Sequence, residues 1–291
     1  MISFFHLAKP GLVLGNLIAL VGGFALGIRE SGLPSPFFLL LSSMIGLSLV
    51  MASGCVFNNI IERKPDALME RTKNRPLVTG AITPRAAAMF GLILGISGFS
   101  ILIFFTNIFA VAAAAVGFFF YVFMYSFWSK RRSAWGTVVG AISGATPPVV
   151  GFAAASNSLS PFSFLLFSAL FFWQLPHFYA IGIRRLDDYR RAGVPILPVK
   201  YGLAATRAVM LCCIIAFGTV ASFLAVLTGL GAGFLAIMIG ISLVWAICCV
   251  IGFDPEDAAG SAIWARRMFL VSLLVLMAFF GSMTIFSVVL K

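Results

Sequence analysis

Asn58, Glu62 and Asp66 recur at intervals of four in the stretch Asn58-Asn59-Ile60-Ile61-Glu62-Arg63-Lys64-Pro65-Asp66. On a helix that spacing stacks three oxygen-bearing side chains on one face. Two carboxylates on consecutive turns repel each other, and a divalent cation removes that cost. Carboxylate oxygens with a neutral amide oxygen suit Mg2+, which keeps several waters and binds phosphate oxygens at the same time. Arg63 lies within the ladder, and Glu70, Arg71, Lys73, Asn74 and Arg75 follow it directly. Acids able to hold a metal beside a dense run of cations match one substrate class. That class is a diphosphate, gripped by Mg2+ on one side and by Arg and Lys donors on the other. The plainer alternative is a set of solvated loop charges that top a helix and pair among themselves. Pro65 cannot sit mid-helix without a kink. The first helix is therefore expected to end near Glu62 and a new one to start at Pro65, with Asp66 facing the site from a broken helix.

A second cluster is Trp173-Gln174-Leu175-Pro176-His177-Phe178-Tyr179, followed by Arg184-Arg185-Leu186-Asp187-Asp188-Tyr189-Arg190-Arg191. It again sets carboxylates among arginines at the end of an apolar run. His177, one of two histidines, lies roughly 16 Å along a helix from Asp188. An ionisable side chain inside a span is a functional candidate by default. The alternative for His177 is a neutral ring hydrogen-bonded across helices. Pro147-Pro148 after Gly144 is expected to kink or break its helix. Lys130-Arg131-Arg132 reads most simply as a topology determinant, and Asp254, Glu256 and Asp257 with Arg266 as a solvated loop. The five cysteines lie in apolar runs without CxxC spacing and read as small buried side chains. Of the 31 phenylalanines, most are expected to face lipid or to pack, with a subset lining a chamber.

Such residues must be positioned by elements that the composition restricts severely. The chain has 291 residues, of which 61% are hydrophobic and 10% charged, whereas ordinary soluble domains carry about 25% charged residues. A bilayer can hide that much apolar surface, and inside it only helices or closed barrels satisfy every peptide group. The runs here are long and lack the alternation of barrel strands, so the fold class is an all-α polytopic transmembrane bundle. Nine spans are expected near 10–28, 37–61, 84–105, 108–128, 135–155, 160–183, 207–229, 231–252 and 267–289, within a single domain over 1–291. The first is read as a span and not a cleaved leader, because equally apolar segments follow it. All of the 20 Lys and Arg residues except Arg29 and Lys291 then fall on one side. The positive-inside rule makes that side cytoplasmic, with the N-terminus inside and the C-terminus outside. The +11 charge is thus a matter of topology, and the expected partner is membrane lipid and not nucleic acid. The acids also lie on that side except Glu30, and they concentrate in the two longest loops, 62–83 and 184–206. Spans two and six both end in a polar acidic loop. This hints at two four-helix units facing each other, with a ninth helix added.

At these residues the chain resembles the UbiA-type intramembrane prenyltransferases, and within them the branch that farnesylates heme. The superfamily's NxxxDxxxD motif reads here as Asn58, Glu62 and Asp66. The branch marks are Lys9-Pro10-Gly11 before Gly15-Asn16, then Met69-Glu70-Arg71-Thr72-Lys73-Asn74-Arg75-Pro76-Leu77, and Gly144 with Pro147-Pro148. They continue with Trp173-Gln174 and Pro176-His177-Phe178, then Asp188-Tyr189 with Pro195-Ile196-Leu197-Pro198-Val199. Glu62 stands where the family usually has Asp, Pro65 is unexpected between the acids, and of the second acidic motif only Asp188 matches. The Asn that often precedes Thr137 is replaced by Gly136.

The resemblance implies Mg2+ on Asn58, Glu62, Asp66 and Asp188, with farnesyl diphosphate and heme b as substrates. It implies Arg63, Arg71, Lys73, Arg75 and Lys200 as diphosphate-binding groups, and His177 as a residue that orients heme or ligates its iron. It further implies heme O as product, a bacterial inner-membrane location and association with heme–copper oxidase assembly. A polyprenyltransferase acting on a quinone precursor is the nearest alternative. A transporter is one from another class, although transporters keep their polar site near the midplane. A scaffold would need none of these acids.

Overall fold

The computed structural model describes residues 2–32, 36–254 and 258–289. Among the described residues nine helices are long and apolar enough to cross a membrane. In chain order the elements are α1 (Ile2–Leu7), α2 (Pro10–Ser31), α3 (Phe37–Ile61), α4 (Arg63–Asp66), α5 (Pro84–Phe105) and α6 (Ile108–Phe119), which continues as a π-helical segment over Phe120–Ser129. Then come α7 (Gly136–Gly144), α8 (Thr146–Ser156), α9 (Pro161–Arg184), α10 (Leu186–Arg191), α11 (Leu197–Leu227), α12 (Gly231–Val250) and α13 (Ala258–Val289). The chain is therefore an integral, multi-pass membrane protein.

The helix ends follow local chemistry. Thr83 and Asn107 accept hydrogen bonds from Ala86 N and Ala110 N, capping α5 and α6, and Pro84 and Pro161 open α5 and α9, where no intrahelical N–H is needed. Asn107 also donates to the carbonyls of Ala153 and Ala154 at 2.8 and 3.1 Å, which ties the α5–α6 turn to α8. The fifth span breaks at Ala145, and Pro147 and Pro148 sit in the first turn of α8, as their missing N–H groups require. The seventh span begins about ten residues before the expected boundary. Its first turn, from Leu197, is set at an angle by Gly202 at φ 82°, a left-handed value open to glycine.

Two apolar cores hold the helices. One joins side chains of α9, α11, α12 and α13, and the other joins α2, α3, α6 and α8. The broken fifth span contributes to both, through Ala141, Ala145 and Phe152 on one side and Val149, Val150 and Ala153 on the other. α13 packs into the second-half core against α2 and α9 and does not stand apart as an added helix. At the α2–α8 crossing, a Cβ on Gly23 would lie 2.0 Å from Pro148 O, and one on Gly151 would lie 2.1 Å from Leu20 O. Bare backbones allow this approach, the usual solution where lipid offers no hydrophobic drive between helices. Large apolar side chains such as Phe104, Phe127 and Phe164 point outward, as lipid contact demands.

The loop after α3 has a small core of its own. Leu77 and Ile82 pack with Leu7, Val56 and Ala87, and Met69 is also buried. This holds the polar segment down on the bundle.

Candidate active site

A cavity of about 560 Å³ opens between the two cores. Its deep walls are apolar or small: Ala19, Leu47, Val50, Ala114, Leu170 and Leu276. Among the described phenylalanines the subset that lines it is Phe118 and Phe178, joined by Tyr121, Tyr125, Tyr179 and Trp173. Its charged residues, Lys9, Glu62, Arg71, Arg75 and Lys130, gather at the end that bears the two long loops.

Asn58 sits in the last turn of α3 and is buried. Its Nδ2 donates to Ser126 Oγ at 2.9 Å, and that hydroxyl donates in turn to Tyr121 O at 2.7 Å, across one π-helical turn. The amide orientation is thereby set, and Oδ1 accepts from Lys9 Nζ at 2.6 Å. Lys9 reaches it from the left-handed turn between α1 and α2, at φ 49°, a costly conformation for a residue with a Cβ. Glu62 follows the end of α3, and its carboxylate accepts from Lys130 Nζ at 2.5 Å. Burial would raise the Glu62 carboxyl, but Lys130, Lys9 and Arg75 outweigh it and hold the group below its ordinary value. Burial would likewise lower Lys130, yet Tyr125 and Glu62 reverse that and raise it. Lys9 faces a neutral amide, so burial prevails and its pKa falls.

Asp66 ends the short α4 that follows the break, close to the expected restart at Pro65. It is buried, but it pairs with Arg75 and does not itself line the cavity; Arg75 and Arg71 do. Thr72, buried beneath, donates to Asp66 O at 2.8 Å. Asp188 does not continue the helix that carries His177. α9 stops at Arg184 and α10 restarts at Leu186, so distance along one helix does not apply. Asp188 accepts from the Glu70 N–H at 3.1 Å and from Arg191 at 2.6 Å. Burial opposes its ionisation, but Arg191 and that N–H win and keep it below the ordinary range. Its neighbour Tyr189 lines the cavity.

His177 lines the cavity, hydrogen-bonded to Ser272 at 2.7 Å and stacked on Trp173. Of the remaining cations expected at the site, Arg63 is exposed, Lys73 pairs with Glu70 at 2.5 Å, and Lys200 is exposed beside the Tyr201 ring; none of the three lines the cavity. Glu256 and Asp257 lie outside the described residues.

Residue types and spacing alone missed several members of the site. Lys130 was assigned to topology, yet it enters the cavity while Arg131 caps α3 by donating to Ile61 O. Lys9 carried a signal, being a lone lysine directly before Pro10. Tyr121, Tyr125 and Ser126 stand in an aromatic apolar run that reads as an ordinary span, and only the π-helical register brings the Ser126 hydroxyl to Tyr121 O. Gln174 spans the wall, donating to Ala141 O and Leu170 O, and a Cβ on Gly144 would lie 2.0 Å from its Oε1. A side chain at residue 144 would displace that amide from the wall.

Among the described residues no three His, Cys, Asp or Glu side chains converge to hold a metal ion unaided. The donor chemistry is nonetheless that of a hard cation. Asn58 and Glu62 present oxygens to one cavity beside four cations that line it, Lys9, Lys130, Arg71 and Arg75. Mg2+ needs only one or two protein carboxylates when phosphate oxygens complete its shell, so these residues fit an ion that arrives on a diphosphate.

Residues 16–287 match the UbiA prenyltransferase family. The protoheme IX farnesyltransferase of Protochlamydia amoebophila (strain UWE25) is 43% identical over 270 residues, covering 93% of each chain. Protoheme IX farnesyltransferase 2 of Pseudomonas aeruginosa (strain UCBPP-PA14) is 45% identical over 280 residues, or 96% of this chain and 92% of its own. The solved structure of a UbiA homolog from Archaeoglobus fulgidus bound to DMAPP and Mg2+ aligns over 97% of this chain and 99% of that one. Its TM-score is 0.71 at 15% identity, a likeness of fold.

Proposed function

The chain belongs to the UbiA prenyltransferase family, and we propose that it transfers the farnesyl group of farnesyl diphosphate to a vinyl group of heme b, giving heme O and diphosphate. The observation that carries this reading is the pairing of Asn58 with Lys9 and of Glu62 with Lys130 at the charged end of a mainly apolar cavity. A diphosphate with a long apolar tail meets cations at one end and oil at the other. Identity of over 40% to protoheme IX farnesyltransferases along most of the chain supports the heme substrate.

Lys9, Lys130, Arg71 and Arg75 surround the leaving group and stabilise the charge it gains as the farnesyl C1–O bond breaks. Asn58 and Glu62 are the residues that hold Mg2+ brought in with the diphosphate, and the ion adds Lewis-acid stabilisation of that charge. Asp66 and Asp188 join this set only by letting go of Arg75 and Arg191. The apolar walls keep bulk water from the allylic cation. The terminal vinyl carbon of heme b forms a bond to farnesyl C1. The positive charge then rests on the carbon next to the porphyrin, where water adds and loses one proton to give the hydroxyethylfarnesyl group. His177 is the heme-side contact, deeper in the cavity by about 10 Å than the end of α9. The loop-bearing mouth faces the cytoplasm of a bacterial inner membrane with the N-terminus inside, supported by the distribution of Lys and Arg.

The test is pigment analysis of membranes with and without this chain, supplied with heme b, farnesyl diphosphate and Mg2+. Heme O should form only where the chain is present. Its absence, together with prenylation of a quinone precursor, would sink the substrate assignment.

A further inference from the structure

His177 is held more tightly than a chance wall residue. Its ring centroid lies 4.9 Å from that of Trp173, nearly parallel at 22°, and 4.9 Å from that of Phe269 on α13. Its Nδ1 lies 2.7 Å from Ser272 Oγ, also on α13. Trp173 Nε1 donates to the carbonyl of the same Ser272 at 2.7 Å, so two side chains of α9 converge on one residue of α13. Ser272 is fully buried and does not line the cavity.

The direction of the His177 bond is assigned from the short Ser272–Phe269 contact. A hydroxyl has a single proton, and Ser272 Oγ donates its own to Phe269 O at 2.6 Å. Toward His177 the oxygen can then only accept, so Nδ1 carries the ring proton and Nε2 carries the lone pair. With Nδ1 committed to α13, Nε2 is the ring nitrogen left for the chamber that His177 lines. A neutral imidazole lone pair in an apolar chamber is matched by a Lewis acid, and the heme substrate brings one.

We propose that Ser272 is a positioning residue: by accepting the Nδ1 proton it holds His177 in one tautomer and one orientation, with Nε2 free to take the iron of heme b. This rests on the reading of His177 as the heme contact. Ligating histidines elsewhere donate their second N–H to such a partner, and losing the partner typically costs about 10–100-fold in affinity or activity.

The experiment titrates ferric heme b, without farnesyl diphosphate, into the detergent-solubilised full chain and its variants. It follows the Soret band and the electron paramagnetic resonance spectrum. The wild type and Ser272→Thr, which keeps the hydroxyl, should share one imidazole-ligated signature. Ser272→Ala should bind heme roughly 10-fold more weakly or worse, with an altered spectrum, and His177→Ala should lose the signature. Ser272→Cys keeps the volume with a poorer acceptor, and it replaces Ser272→Ala if that variant does not fold; it too should weaken binding. Wild-type affinity and spectrum in Ser272→Ala or Ser272→Cys, with the signature lost in His177→Ala, overturns the role of Ser272 and leaves His177 as the contact. A signature that survives in His177→Ala, or a wild type that takes up no heme, overturns both.

Discussion

The loop after α3 sends Arg71 and Arg75 to the cavity beside Glu62, whereas the loop after α9 sends Tyr189 and Ile196 and turns its carboxylate away. Asp188 instead clasps the Glu70 N–H of the first loop, with Arg191 behind it. Both loops are rich in arginine and acid, and composition alone makes them look like two halves of one metal site. What separates them is helix continuity. α3 runs unbroken to Ile61, so Asn58 and Glu62 stay on consecutive turns of nearly one face. α9 stops at Arg184 and restarts as α10, which takes Asp188 off the face that carries His177. The first loop thus supplies charge to the cavity, and the second fastens the first in place.

Several measurements would break or sharpen this contrast. The largest effect is expected from Glu62→Ala. It leaves Lys130 without its partner in a buried setting, a change that costs about 3–5 kcal/mol, and heme O formation should fall by about 10²–10³-fold. Thermal unfolding and turnover measured side by side would separate the two losses; wild-type turnover in a folded variant would remove Glu62 from the site.

Asp66→Ala should also lower turnover, by up to about 10²–10³-fold, while the chain still inserts, because Arg75 loses the partner that aims it. Wild-type turnover in that variant would show that Asp66 does not aim Arg75. Asp188→Ala should be milder, about 10²-fold, the scale of a misplaced group, and proteolysis should cleave the loop after α3 faster. If Asp188→Ala is as damaging as Glu62→Ala while that loop stays protected, Asp188 acts on the substrate directly and the contrast fails.

A pH titration of stability gives a smaller, graded effect. Glu62 and Asp188 are both held below their ordinary values of 4.5 and 3.8. Their ionised forms are favoured in the folded state, so the stability they add is fully present above those values. It is lost as the pH falls through the lowered ones. The acid limb should shrink in Glu62→Gln, and an unchanged limb would show that Lys130 does not sense this carboxylate. The smallest effect belongs to Lys200→Ala. Lys200 is exposed and off the cavity, and turnover should change by less than about twofold, within the range of a surface substitution.

Much of the site could be read in the residues themselves. Pro65 announced a helix end near Glu62 and a restart at Pro65; α3 does end at Ile61, but the restart comes at Arg63, with Pro65 inside the short α4. Lys9 and Lys130 were visible as charges at span ends but not as partners, because 49 and 68 residues separate them from Asn58 and Glu62. Such pairing depends on which helix ends meet, and spacing along one helix is silent about that. The π-helical register of Phe120–Ser129 was equally hidden, since its extra residue per turn leaves no mark in composition.

By itself the sequence determined that this chain spans a membrane as helices, how many spans there are and roughly where they lie, and that the charges collect at one set of span ends. These follow from the cost of placing peptide groups and ionised side chains in hydrocarbon, a cost each segment meets locally. Only the tertiary structure decided which oxygen faces which cation, that Asp188 meets the Glu70 N–H, and that the His177 ring meets Ser272. Those depend on helices far apart in the chain meeting within hydrogen-bonding distance, and a buried polar group takes whatever partner the packing brings it.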